Sequence, residues 1–298
     1  MNITPRTDLA LEIREKYEND NVEISGVKIK EEYSSNKKIK VSIVDIVNKH
    51  GASIMQRDVG RYVTIENMIK GTDSELDKEG LKKVLIRHLQ ELTKDIESKK
   101  ILVVGLGNKD VTPDSLGPLV TEQIFVTRHL IKEYGNDFQE ENKIENIAAI
   151  APGVMGQTGM EAKEIIKAIV KDMDINLVIV IDALAARSVY RLNTTIQLTN
   201  TGISPGSGVG NNRKALNSDS LGIPIIAIGV PTVVDAYTIV NDMLEHFMEK
   251  QRFNPDEISS FNQEIRTENI INMFVTPKDI DEAVKDISRI IADSINEF

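Results

Sequence analysis

The last two-thirds of the chain alternate between two hydrophobic rhythms. Segment 74–96 has apolar residues at helical spacing and runs into a short apolar stretch, 101–107, of strand length. The alternation continues with a helix predicted over 118–134, a strand over 144–152, a helix over 158–173 and a strand over 176–183. Stretch 194–200, TTIQLTN, changes sides residue by residue, as an edge strand does. Strand 223–230, helix 234–250 and a terminal helix over 277–298 complete the pattern. Strands apolar on both faces and separated by amphipathic helices predict an α/β fold with a mostly parallel sheet covered on both sides.

The first seventy or so residues break this rhythm: 38–47 and 60–66 read as strands separated by a polar segment, an antiparallel addition to the same body. No Pro/Ser-rich linker, internal repeat or low-complexity tract interrupts the chain. The expected organisation is one α/β domain over 1–298, with an N-terminal β-containing elaboration (1–72) and an α/β core (73–298).

Composition narrows the chemistry. Apolar content of 41% and charged content of 28% are ordinary for a globular protein. The absence of cysteine removes disulfides, thiolate metal sites and a cysteine nucleophile, and is compatible with cytoplasm. The N-terminus is charged within its first eight residues and reads as no signal peptide. The longest apolar runs, such as IPIIAIGVPTVV, are too short to span a bilayer, so no membrane partner is expected. A net charge of −10 argues against direct nucleic-acid binding and suits a basic protein partner or plain solubility.

The stretch ILVVGLGNKDVTPDSLGPLV (101–120) opens as a dinucleotide loop does, strand into glycine turn. Gly105 and Gly107 take the first two places of G-x-G-x-x-G, but Asp110 stands where the third glycine belongs. Acidic residues there would repel a pyrophosphate, and no G-K-[ST] follows. The strand ends offer another use. Asp114 lies in the loop leaving strand 101–107 and Asp182 at the carboxyl end of strand 176–181, so parallel strands would bring both to one rim. Gly153 and Asp235 reach the same rim.

Each has a plainer role to be weighed. Asp235 fits a helix cap best; for Asp114 capping and chemistry are evenly matched. Asp182, preceded by five apolar residues and followed by ALAA, is a carboxylate that loses hydration. The four histidines are isolated and show no metal-binding spacing. The glycine-rich segment 204–214, with Gly206, Gly208 and Arg213, is a surface loop or an active-site flap.

Several stretches, taken together, resemble one family: RTDLALE (6–12), QRDVGRYVTIE (56–66), VVGLGNKDVTPDSLGP (103–118), APGVMGQTGMEA (151–162), VIVIDALAARS, TGISPGSGVGNNR (201–213), IPIIAIGVPTVVDA (223–236) and MFVTPKDID (273–281). In this order they resemble the germination proteases of spore-forming bacteria. The resemblance implies an endopeptidase, aspartic in type, that degrades small acid-soluble DNA-binding spore proteins within the forespore or spore core. It places the two essential aspartates at Asp114 and Asp182. It further implies an α/β/α sandwich similar to hydrogenase-maturation proteases, a zymogen that removes its own short propeptide, and a homotetramer. In the maturation proteases acidic rim residues bind a metal; this chain offers no histidine at a matching place, so no cofactor is expected, with metal dependence left open as the alternative. Supporting roles for an oxyanion or a substrate loop fall to Gly105, Gly107, Asn108, Gly153, Gly206, Gly208 and Arg213.

Overall fold

A computed structural model describes residues 7–18, 24–68, 77–204, 214–250, 270 and 273–298. Helix α1 (Ala10–Glu18) is followed by a meander of β1 (Val27–Tyr33), β2 (Ile39–Ile46) and β3 (Gly60–Asn67), with helix α2 (Lys49–Met55) between β2 and β3. Helix α3 (Lys78–Thr93) then leads into β4 (Lys100–Gly105), α4 (Leu116–Thr121), α5 (Arg128–Asn142) and β5 (Asn146–Ile150). Next come α6 (Met155–Thr158), α7 (Ala162–Met173), β6 (Leu177–Ala186) and β7 (Thr195–Thr199). The chain closes with α8 (Ser218–Leu221), β8 (Ile225–Asp235), α9 (Ala236–Lys250), β9 (Phe274–Val275) and α10 (Ile280–Asn296).

The nine strands among the described residues form one sheet in the order β1-β2-β3-β7-β8-β6-β4-β5, with β9 on the end of β8. Strands β5, β4, β6 and β8 are parallel, as expected of runs apolar on both faces. The meander joins them through β7, which is antiparallel to both β3 and β8. One face of the sheet packs Ile101, Val103, Ile179 and Ile228 against α3, α4 and α10. The other packs Leu102, Val104, Val178 and Val180 against α7, and its far end takes Leu9, Leu184 and Val234.

Two expectations need correction. The alternation of 194–200 does not mark an edge: β7 lies inside the sheet, between β3 and β8. Its polar face is covered, with Gln197 and Thr199 only 7% and 5% exposed, because the N-terminal segment lies over it and Ala10 donates to Gln197 Oε1 at 2.8 Å. The single helix expected over 118–134 is two, α4 and α5. Between them Thr127 is drawn into β5: its N–H donates to Ile147 O at 3.0 Å and its hydroxyl accepts from Ile147 N at 2.8 Å. Those bonds hold the backbone out of a continuous helix.

His88, on α3, is 1% exposed. Arg87 Nη2 faces its Nε2 at 3.0 Å, and Glu91 Oε2 faces its Nδ1 at 3.0 Å. A guanidinium can only donate, so Nε2 accepts and the imidazole is neutral with its proton on Nδ1. Burial holds its pKa below the ordinary value, Arg87 acting in the same direction against the pull of Glu91 and Glu32. The native state therefore binds fewer protons here than the unfolded chain. Stability from this site is present above the unfolded value of about 6.5 and is lost as pH falls toward the lower folded one. Denaturant midpoints followed from pH 7.5 to 5.5 should fall for wild type and fall less for His88→Asn.

Candidate active site

The turn after β4 is shaped by three glycines. A Cβ on Gly105 would lie 2.1 Å from Gly117 O, and one on Gly117 would lie 2.3 Å from Leu106 O. Helix α4 thus rests backbone to backbone on the exit of β4. The close approach that a dinucleotide loop gets from its third glycine comes here from Gly117, which lies outside the G-x-G-x-x-G frame. Gly107, at φ +114°, lets the turn double back until its missing Cβ would stand 2.0 Å from Asp114 O. Asp114 ends a 3-10 turn, Thr112–Asp114, and its Oδ2 accepts the Asn108 N–H at 2.7 Å.

Asp182 reaches the same turn from β6. The β4–β6 ladder ends at Gly105 opposite Ile181, and Leu106 N donates to Ile181 O at 2.8 Å. On the other side β8 continues, with Asp182 opposite Gly229 and pairing to Ala186. Strand β6 therefore runs past the expected end, and Asp182 sits within it, where one neighbouring strand departs and the other stays. Its side chain is 5% exposed, on the face shared with Val178 and Val180, and Oδ1 accepts from Ala183 N at 3.0 Å. Chain connections pass outward from β4 to β5 and then back across it to β6, so the β4/β6 boundary is the topological switch point. Asp114 accepts from Asn108 of that turn, and Ile181, the residue before Asp182, accepts from Leu106 of it.

The remaining predicted residues divide. Asn108 positions Asp114 through its backbone, while its side-chain oxygen accepts from Asp110 N at 3.1 Å and from Gln157 Nε2 at 3.1 Å. Leu106 and Asn108 spend their N–H groups inside the protein, which narrows the oxyanion role considered for this turn. Gly153, at φ +73°, stands beneath α6, where a Cβ would come 3.0 Å from Gln157 Oε1. Asp235 is a cap: its Oδ1 accepts from Tyr237 N at 2.8 Å and Thr238 N at 3.3 Å. Gly206, Gly208 and Arg213 lie outside the described residues. Among the described residues no group of three or more His, Asp or Glu side chains is arranged to hold a metal ion.

Three contributors at this rim carry no periodic signal. Gln157 ties α6 to the glycine turn. Asp8 joins the end of β6 by two bonds at Ala185, its N–H donating to Ala185 O and its Oδ2 accepting from Ala185 N, each at 2.9 Å. Glu12 accepts the N–H groups of Arg187 at 2.7 Å and Ser188 at 3.0 Å. Asp8 and Glu12 are marked in the sequence only by the RTDLALE stretch, and Gln157 only by APGVMGQTGMEA.

A switch point with one aspartate in the turn after β4, another in β6 and no phosphate-binding glycine pattern suits a hydrolytic site better than a nucleotide site. The sequence profile described as Germination protease matches residues 5–260. A germination protease of Caldanaerobacter subterraneus is 45% identical, covering 98% of this chain and 93% of its own. Germination proteases of Clostridium tetani and Bacillus subtilis are 42% and 39% identical, each covering 98% of this chain and 94% and 92% of their own. The chain belongs to the germination protease family, and it is a peptidase. Among solved structures, a [NiFe] hydrogenase maturation protease, HycI from Thermococcus kodakarensis, is similar over 70% of this chain and 98% of its own, at 15% identity and a TM-score of 0.36. That likeness adds nothing to what the strand order already defines.

Proposed function

We propose that the chain is an aspartate-dependent endopeptidase that starts the breakdown of small acid-soluble spore proteins at germination. The observation that supports this reading is that one turn at the switch point binds Asp114 through Asn108 N and the residue before Asp182, Ile181, through Leu106 N. Two carboxylates that share a crevice resist double ionisation and hold one proton between them across neutral pH. The ionised member takes a proton from water as it attacks the scissile carbonyl. The protonated member donates to the developing oxyanion and then to the departing amine. No covalent intermediate is needed.

The family relationship supports the substrate class, the spore core as the place of action, a self-processed precursor and a homotetramer. An extended substrate crosses the rim of the parallel strands, since β7 is not available as an edge for it to join. DNA-bound substrate would be ordered and shielded. The test is purified protein with a small acid-soluble spore protein, free or bound to DNA, with and without chelator. Cleavage is expected to be insensitive to chelator and slowed by DNA. Intact substrate would overturn the reading, and loss of cleavage on chelation would favour a metal-dependent peptidase instead.

A further inference from the structure

A cavity of about 390 Å³ opens on the Asp182 face of the sheet, and nothing in the proposed reaction uses it. Its floor includes Gly229, the β8 partner of Asp182, and Leu184, two residues further along β6. Adjacent strands lie about 4.8 Å apart and alternate residues about 7 Å, so the cavity begins one residue's reach from the carboxylate. The first consequence is positional: a peptide crossing the rim would lower a side chain into it.

The wall has a donor–acceptor polarity that can be read from its hydrogen bonds. Tyr62, Thr199 and Thr201 all line it. The Asp58 carbonyl can only accept, so the Tyr62 hydroxyl donates to it, at 2.9 Å. Thr201 then donates to Tyr62 at 3.1 Å, and Thr199 donates to Thr201 at 2.9 Å. All three hydroxyl hydrogens are committed along this relay, and what it turns toward a guest is lone pairs. Two acidic residues, Asp8 and Asp58, are also among the lining residues, and one Asp8 carboxylate oxygen already accepts from Ala185 N. Burial holds the Tyr62 phenol above its ordinary pKa against the Thr201 hydrogen bond and the charge of Arg57, and Asp58 adds a smaller push upward. Arg57 is the one cation among the described lining residues, and its Nη1 and Nη2 donate to the carbonyls of Gln56, at 3.0 Å, and Thr7, at 2.7 Å.

We propose that this cavity is a specificity subsite for a basic side chain, lysine or arginine, of the protein substrate. The inference rests on the peptidase reading and adds the chemistry of one substrate position to it. A relay of acceptors in a lining with two acidic residues to one basic favours a guest made of donors and bearing positive charge. A glutamate in the same place would meet lone pairs and like charge, and an aliphatic chain would leave acceptors unpaired.

The test is a titration of the ¹⁵N-labelled full chain with Nα-acetyl-lysine methylamide and with its norleucine and glutamate counterparts. The lysine probe should shift the amides of Thr199, Thr201 and Gly229 and bind about tenfold more tightly than norleucine. Its advantage should drop about threefold in Asp58→Asn, the worth of one partly exposed ion pair, and also shrink in Thr201→Val, which breaks the relay without removing charge. Equal binding of norleucine, preference for glutamate, no binding of lysine, or shifts confined elsewhere would overturn the subsite. So would a lysine preference that neither variant changes. The titration needs no cleavage: a chain that selects lysine but leaves the spore protein whole fails as the proposed peptidase and keeps its cation site, and one that cleaves without selecting lysine fails only here.

Discussion

Asp182→Asn and Asp114→Asn are each expected to lower the rate of spore-protein cleavage by about 10³-fold, the order contributed by a positioned acid or base. Asparagine keeps the shape of the side chain and its ability to accept a hydrogen bond. The bond from Ala183 N to residue 182 and that from Asn108 N to residue 114 can therefore persist. What disappears is the charge that takes the proton from water, or the proton that the partner would hold. If the two carboxylates act as a unit, the double variant should be scarcely slower than either single one. Rates measured against variants with unchanged circular dichroism and melting temperature would check this. Full activity in either variant removes that residue from the chemistry.

Arg191→Met should have the largest effect on stability. Arg191 follows β6, and its side chain is 13% exposed. Its guanidinium forks onto both oxygens of Glu15, at 2.8 and 2.6 Å, reaches Glu66 at 2.9 Å and lies 3.2 Å from Glu12. Burial pulls its pKa down, but Glu15, Glu66 and Glu12 outweigh burial and hold it above the ordinary value. Methionine fills similar volume but leaves the Glu12 and Glu66 side chains, 2% and 14% exposed, without their common counter-charge. Removing one partner from a buried network costs about 3–5 kcal/mol. In a chain of this size that corresponds to a melting temperature lower by roughly 10 °C. Arg191→Lys keeps the charge and loses the fork, and should fall between the two. A methionine variant as stable as wild type would mean that the network contributes little.

How much of this was readable beforehand depends on whether a residue's role is set by its neighbours in sequence or by a distant segment. Strands β4 and β6 were legible because a fully covered strand is apolar throughout, and Asp182 stood out as the charge ending such a run. Asp235 was legible as a cap because its partners, Tyr237 and Thr238, are local. Strand β1 was not: in VKIKEEY only the side facing β2 is committed, and most of its side chains are exposed. The alternation of strand β7 suggests an edge, but its polar residues Gln197 and Thr199 are covered rather than solvated. Their covering comes from a segment nearly two hundred residues away, and no local pattern reports that. Gly117 escaped for the same reason, since its importance lies in how close Gly105 comes to it.

The interior place of β7 makes the amino-terminal meander a structural obligation. A shortened chain lacking β1–β3 would keep every parallel strand, yet would bare the Tyr62-to-Glu66 side of β7, a row of N–H and C=O groups with no ladder to join. Such a fragment would recruit the same edge of another molecule and come out of solution as assemblies, so its inactivity would say nothing about which residues cut the substrate.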